Sequence, residues 1–310
     1  MLSRVLVITL NTYREAVRAR LLLGVFAFAL ATCAYAMVVA SLSLHNEVRV
    51  VADLGAAALS LYGVLIAIVL GSTSLYRELE HKTVFPILSR PIRRWEYLVG
   101  KYLGTMLTVT VFVAADAAAV LATLAIEAGQ TTSKVFAPIG VMLVLLGVAL
   151  AAARHRRIFV MIPWSIVLAA VVWTVASPAL EDRQLVVAGA LLSICEVAIV
   201  AAVATLFASF SSPFLTATFT VMVFVIGRSS DTLAHLPKKM FGETFARGFA
   251  AIAKVVPNLH VYVPARPLLL GQVADQAVWR YVGMAAIHAL FYATALLVAG
   301  ALVFRKRDFS

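Results

Sequence analysis

Two carboxylates in otherwise uncharged, apolar stretches are the residues of this sequence best placed to carry chemistry. Asp116 lies in the middle of Tyr102–Ile126, and Glu196 lies near the middle of Leu185–Phe210. A carboxylate at membrane depth costs about 2.5–3.5 kcal/mol on insertion scales, so each should face protein or water. Both are candidates for lining a translocation path or a dimer cavity, and the alternative is a buried packing residue. His288 is a candidate partner for either acid, although no spacing supports a particular pairing.

The sequence carries no catalytic or metal-binding motif. The phosphate-binding pattern Gly-x-x-x-x-Gly-Lys-Ser/Thr fails, because Tyr102 follows Gly100-Lys101 and Trp95 occupies the place of the first glycine. Neither the Gly-x-Ser-x-Gly elbow nor the His-Glu-x-x-His zinc helix occurs, and the six histidines show no metal-ligand spacing. We therefore expect no enzymatic activity, no metal and no cofactor bound by this chain.

One polar segment, residues 77–101, combines charge with helical patterning between two apolar stretches. Glu78 and Lys82 are four residues apart and can pair on one helical turn, and Pro91 suits the first position of a second helix. Apolar side chains are interspersed with the charges, at Leu79, Val84, Phe85, Ile87 and Leu88. The pattern predicts a stiff helix-turn-helix at the membrane surface that suits docking to another protein. A solvated loop that only enforces topology is the alternative.

The composition requires a membrane around these residues. Hydrophobic residues make up 63% of the 310 positions and charged residues 13%, against about 45–50% and 25% in soluble domains. The fold class predicted is an all-α, polytopic integral membrane bundle. Leu21–Leu44 is predicted to be a retained first span rather than a cleaved signal peptide, because its length suffices to cross a bilayer.

About eight transmembrane helices are predicted from the apolar runs, the seventh being short. These runs are Leu21–Leu44, Leu54–Tyr76, Tyr102–Ile126, Phe136–Ala153, Ile158–Leu180, Leu185–Phe210, Pro213–Gly227 and Tyr281–Phe304. The sixth and seventh are divided at Ser211-Ser212-Pro213, because proline removes a backbone donor and starts a helix well. Six spans result if the short helix pairs are re-entrant instead.

Basic residues indicate the orientation of these spans. Of the 26 Lys and Arg residues, four lie before the first span, six in 77–101, three in 154–157 and three in 305–307. Cytoplasmic loops carry an excess of Lys and Arg, so these segments and both termini are predicted to be cytoplasmic in an inner, plasma-type membrane. This topology explains the net charge of +11 without nucleic acid as a partner.

Two amphipathic segments are predicted to lie along the membrane surfaces. Residues 1–20 present Val5, Leu6, Tyr13 and Val17 on the cytoplasmic side. Within the external segment 228–280, Lys238–Val255 places apolar residues at helical spacing, namely Phe241, Phe245, Phe249 and Ile252.

Several of these motifs together resemble the type-2 ABC transporter permeases. The main one is Arg77-Glu78-x-Glu80-x-x-Thr83, followed by Leu88-Ser89-Arg90-Pro91-x-x-Arg94-x-Glu96-Tyr97-x-x-Gly100-Lys101. Weaker likenesses follow in the family's order, at 14–18, 207–213, 256–259 and 304–309. The branch that looks most similar contains the permeases of nitrous-oxide-reductase maturation and gliding motility.

The resemblance implies an exporter subunit that pairs with a second permease copy or a homologue, and with two ATP-binding subunits that hold ATP and Mg. It also implies that the segment between spans two and three is a coupling helix seated on the ATPase. By position this role falls on Arg77, Glu78, Glu80, Thr83, Ser89, Arg90, Pro91, Arg94 and Glu96. The family usually has six spans, so the hairpin 136–180 is a departure from its pattern.

Two other functions are open from the sequence. An ion- or proton-coupled secondary transporter running on Asp116 and Glu196 would predict internal inverted repeats, and none is evident. A membrane scaffold would use the external segment to recruit a partner protein.

Overall fold

The computed structural model describes residues 2–80, 93–153, 156–234, 248, 256–270 and 277–306, and this part of the chain is all-helical. Its helices are α1 (Leu2–Arg18), α2 (Leu21–Ser41), α3 (Glu47–Glu80), α4 (Arg94–Glu127), α5 (Thr132–Ala152), α6 (Arg157–Val175), α7 (Leu180–Ala208), α8 (Pro213–Arg228), α9 (Ser230–Ala234), α10 (Arg266–Leu269) and α11 (Val278–Lys306). A 3₁₀ turn covers His260–Tyr262.

Seven helices in the described part are long and apolar enough to cross a membrane, namely α2 to α7 and α11. The chain is therefore a multi-pass helical membrane protein. The predicted seventh span does form a helix, α8, but its 16 residues reach only about 24 Å against a hydrocarbon core of about 30 Å. α7 ends at Ala208 and α8 begins at Pro213, on either side of the predicted break.

The centre of the bundle is formed by α3, α4 and α7, which pack on one another, while α2, α5, α6 and α11 lie around them. Small residues allow the central helices to approach closely. A Cβ built on Gly71 of α3 would lie 2.6 Å from Cβ of Ala204 on α7. Such contacts are typical of membrane helices, where packing replaces the hydrophobic effect between helices. Both intramembrane acids belong to this central layer, Asp116 on α4 and Glu196 on α7.

The amphipathic helix α1 lies against the first turns of α4. A Cβ on Gly104 would lie 2.5 Å from Cβ of Thr12, so glycine permits the contact. Tyr13 is fully buried and its hydroxyl donates to the carbonyl of Ile158, 3.3 Å away. Burial raises the pKa of Tyr13 to about 12. Leu6 is 59% exposed in the single chain, whereas Ile8, Thr9 and Thr12 face the glycines of α4.

The hairpin of α5 and α6 covers one side of α4. α6 packs on α4, and α5 packs mainly on α6. The indole Nε1 of Trp164 on α6 donates to the carbonyl of Met142 on α5 at 2.9 Å. The predicted extra hairpin, 136–180, therefore lies outside the central layer.

The bundle has two ends that need names. The Arg94 end contains α1, the start of α4 and the end of α11, where Arg94 Nη1 donates to the carbonyls of Phe304 and Arg305. The Arg266 end contains the starts of α3, α7 and α11, together with residues 256–270.

Candidate functional site

Glu196 lies in a buried polar cluster contributed by three helices. Its side chain is completely buried, and its Oε2 accepts a hydrogen bond from Ser60 Oγ of α3 at 2.7 Å. Arg228, the last residue of α8, places Nη1 3.3 Å from Glu196 Oε1. The same Nη1 donates to Ser60 Oγ at 3.1 Å, so the hydroxyl links the two charges. The carboxylate that the sequence placed at membrane depth is thus paired with a cation.

A cleft of about 180 Å³ leads to this cluster from the Arg266 end. Its walls come from α3, α7 and residues 262–269, and its lining includes Asp53, Ser60, Ser193, Arg228 and Arg266. Arg228 is 30% exposed, and its guanidinium lies 5.6 Å from the ring of Phe224. The cluster therefore has two buried members, Glu196 and Ser60, and one partly exposed member, Arg228, that a solute in the cleft can reach.

Arg266 closes the outer part of the cleft by bridging two helices. Its guanidinium contacts Asp53 in the second turn of α3 and Asp182 in the first turn of α7. Arg266 is only 17% exposed, and Asp182 only 21%. Charged groups with this little solvent interact more strongly than pairs on an open surface. Residues 256–270 are thereby held across the cleft.

Tyr262 anchors the same segment to α11. Its hydroxyl lies 2.8 Å from His288 Nδ1 and 3.4 Å from the carbonyl of Ala285. Burial raises the pKa of the Tyr262 hydroxyl, and the charge of Glu196 acts in the same direction. His288 was considered as a partner for Asp116 or Glu196. Its hydrogen bond in the structure is instead with Tyr262.

Asp116 has surroundings unlike those of Glu196. Its side chain is 1% exposed, and neither carboxyl oxygen has a hydrogen-bond partner among the described residues. A buried polar atom without a partner costs about 1–3 kcal/mol, and more when it carries a charge. Such a group is a candidate for binding something that the chain itself does not supply.

The motif residues at the Arg94 end fall partly outside the described residues. Thr83, Ser89, Arg90 and Pro91 lie outside them, as does the amphipathic segment predicted at 238–255 apart from Gly248. Arg77, Glu78 and Glu80 occupy the last turn of α3, and only their backbone is described. Arg94 and Glu96 belong to the first turn of α4.

Glu96 and Arg94 stabilise that first turn in different ways. The carboxylate of Glu96 is 2% exposed and accepts from the backbone N–H of Arg93 at 3.0 Å. An acidic residue in a first helical turn also interacts favourably with the helix dipole. Arg94 binds the last carbonyls of α11, whose own intrahelical partners are missing at a helix end.

Lys101 is a buried cation that joins three helices at the same end. It is 5% exposed, and its Nζ lies 3.2 Å from Glu15 Oε2 of α1 and 3.2 Å from Ser74 Oγ of α3. The motif contained Lys101, but its partners were not predicted, because they lie 86 and 27 residues away.

The contacts of Arg228 and Arg266 were not predicted either, because in the sequence both residues were treated only as part of the external segment 228–280. The sequence did contain one signal for Arg228. This residue directly follows the apolar run Pro213–Gly227, which is next along the chain to the run that contains Glu196.

Within the residues described, no group of three or more His, Cys, Asp or Glu side chains is arranged to hold a metal ion. No protein-family model matches the chain, and no curated protein matches it at a significant level.

Proposed function

We propose that this chain is the membrane-spanning permease subunit of an ATP-driven exporter of the type-2 ABC kind, in the inner, plasma membrane of the cell. Two separate ATP-binding subunits would hydrolyse the ATP, and a second permease copy or homologue would complete the pore. The observation that carries the proposal is a set of contacts at the start of α4, the helix that follows 81–92. There Arg94 binds α11, and Lys101 binds α1 and α3.

These contacts suit a segment that receives force. α3 and α4 have 34 residues each, which is about 51 Å of helix, longer than a bilayer's hydrocarbon core. A displacement of 81–92 would move both helices and, through Arg94 and Lys101, also α11 and α1. Because α3 is a wall of the cleft at the other end, the same displacement would change access to Ser60 and Glu196.

The finer topology is part of the proposal. We infer eight membrane-inserted helices, with the Arg94 end cytoplasmic and the Arg266 end external. The distribution of Lys and Arg supports this orientation. In this arrangement α8 enters from the cytoplasmic side, and an external partner protein would meet the outer surface of the segment 228–280. Asp116 and Glu196 would line the translocation path.

Co-purification tests the assembly. The chain is expressed beside candidate ABC ATP-binding subunits, and a complex of two permeases with two ATPases is expected. The double charge reversal E78K/E80K should weaken the complex at least tenfold. The matched control E47K/E181K makes the same charge change at the Arg266 end and should leave the complex intact. The proposal would be contradicted if only the control E47K/E181K lost binding, or if both double variants still bound the ATPase subunits.

Labelling tests the orientation independently. A membrane-impermeant maleimide should react with W95C only when the cytoplasmic face is open. Labelling from the outside would place the motif segment beyond the reach of any ATPase. Transport assays on D116A and E196A then test the path, because both should lower export without reducing ATPase association.

Two acids favour a second candidate, an ion- or proton-coupled transporter: Glu196, which is paired, and Asp116, which has no hydrogen-bond partner among the residues the structure describes. A cation or a proton that reaches the cleft could replace Arg228 as the partner of Glu196. Transport by reconstituted protein in vesicles distinguishes the two mechanisms. Uptake that follows an imposed pH or sodium gradient without ATPase subunits would favour coupling to ions, and strict dependence on those subunits and ATP would favour the first proposal.

A further inference from the structure

A large groove runs along the outside of the bundle at the Arg94 end. It has a volume of about 870 Å³ and lies between the start of α4 and the last turns of α11. This volume is within the range of about 300–1,000 Å³ that small-molecule sites occupy. The described residues of its lining are Arg93, Arg94, Trp95, Val99, Thr294, Leu297, Val298, Ala301, Leu302 and Arg305.

The groove is one leaflet deep. Its α11 wall runs from Thr294 to Arg305, which is about 16 Å along a helix axis. Half of a bilayer's hydrocarbon core is about 15 Å. The wall between these ends is aliphatic, and Val298 and Leu302 are each 55% exposed in the single chain. An acyl chain lying beside α11 would cover this wall over the whole depth of a leaflet.

Positive charge is concentrated at one end of the groove, where the start of α4 meets the last turn of α11. Arg93 and Arg305 are exposed there, and Arg94 is oriented by its bonds to the carbonyls of Phe304 and Arg305. No acidic side chain lines the groove within the described part of the chain. The nearby Glu96 is buried against the backbone of Arg93. Trp95 lines the groove beside these arginines, in the first turn of α4, and tryptophan is enriched where headgroups meet hydrocarbon.

We propose that this groove binds one anionic phospholipid, with its phosphate on the arginines and an acyl chain along α11. Arginine matches phosphate because its planar guanidinium presents several donors at once. Basic pockets between membrane helices are suited to anionic headgroups in the same way. The inference depends on membrane insertion and groove geometry alone, and it is independent of the transport mechanism.

Trp95 provides a direct readout. The full chain carrying W164F, W173F and W279F retains Trp95 as its single tryptophan. It is reconstituted in vesicles that contain either phosphatidylglycerol or phosphatidylcholine with the same brominated acyl chains, which quench tryptophan on contact. Phosphatidylglycerol should quench Trp95 at several-fold lower mole fraction, because each arginine near an anionic lipid contributes about a fivefold preference. A second protein that retains only Trp164 should be quenched equally by both lipids.

Variants then assign the preference to the arginines. R93A/R305A should reduce the preference at Trp95 to less than twofold, whereas R93K/R305K should keep most of it. The control R156A/R157A removes two exposed arginines from the start of α6, at the same end of the bundle, and should change nothing. Should R93A/R305A fail to fold, the comparison of the two lipids on the parent protein still decides the question.

Two results would overturn the proposal. Equal quenching of Trp95 by the two lipids would show that the groove does not select an anionic headgroup. Protection of Trp95 from both lipids, together with efficient V298C disulfide formation between chains, would assign the groove to a second copy of the protein.

Discussion

Arg228 at the end of α8 lies 3.3 Å from Glu196, which is near the middle of α7. The contact places the end of α8 deep inside the bundle and not at its surface. The carbonyl of Gly227 near that end is satisfied within the protein, since it accepts from the N–H of Leu259 at 3.0 Å. Irregular backbone at membrane depth occurs where it is buried in protein or lines a cavity. Here Leu259 and Tyr262 are buried, and Tyr262, Arg266 and Leu269 line the cleft.

Removal of Arg228 alone should destabilise the protein more than removal of both charges. R228M leaves a buried carboxylate with only Ser60, and we expect a loss of about 2–3 kcal/mol. This is less than the 3–5 kcal/mol for a fully buried pair, because 30% of Arg228 is exposed. E196Q/R228M should recover most of the loss. Thermal unfolding in detergent measures both, with R49M as a control because Arg49 is 61% exposed. An additive double variant would show that the two residues are not coupled.

The Arg266 bridge should control the opening of the cleft. R266A removes charge-assisted hydrogen bonds worth about 1.5–3 kcal/mol, which corresponds to a tenfold or larger rise in local opening. Hydrogen–deuterium exchange of the amides in 256–270 is the measurement. D182N should have a larger effect than D53N, because Asp182 is 21% exposed and Asp53 48%. Unchanged exchange in R266A would mean that other contacts, such as that of Tyr262, hold the segment.

We expect the carboxyl group of Asp116 to lower the stability of the protein. Its oxygens have no partner in the described part of the chain, so D116L should raise the free energy of unfolding by about 1–3 kcal/mol, within the cost of a carboxylate at membrane depth. D116N keeps an unpaired polar group and should give a smaller gain. Higher stability combined with lower transport would identify a functional residue. Lower stability of D116L would show that the carboxyl supports the fold.

The glycines between α1 and α4 should be sensitive to a single methyl group. In G104A the new Cβ would lie 2.5 Å from Thr12 Cβ and 2.8 Å from the carbonyl of Thr9. Overpacking of this kind costs about 1–3 kcal/mol, so the melting temperature should fall and trypsin should cut faster after Arg14 and Arg18. The control G24A has nothing within 4 Å of its Cβ and should gain about 0.5–1 kcal/mol. Similar behaviour of the two variants would contradict the tight α1–α4 contact.

The spans themselves could be predicted from the sequence because their signal is local. Stretches such as Tyr102–Ile126 and Leu185–Phe210 are long and apolar enough to identify a membrane helix without knowledge of its neighbours. The break before Pro213 was equally local, since proline acts on its own backbone. Asp116 and Glu196 stood out for the same reason, as charges in an apolar stretch.

The tertiary structure alone decided what each of those charges contacts. Glu196 pairs with Ser60, which is 136 residues away, and Arg266 joins Asp53 to Asp182 across 213 and 84 residues. Hydropathy determines whether a helix enters the membrane, but not which face it turns toward its neighbours or how deep it ends. Those depend on how side chains of different helices fit together, as α8 shows by ending against the middle of α7.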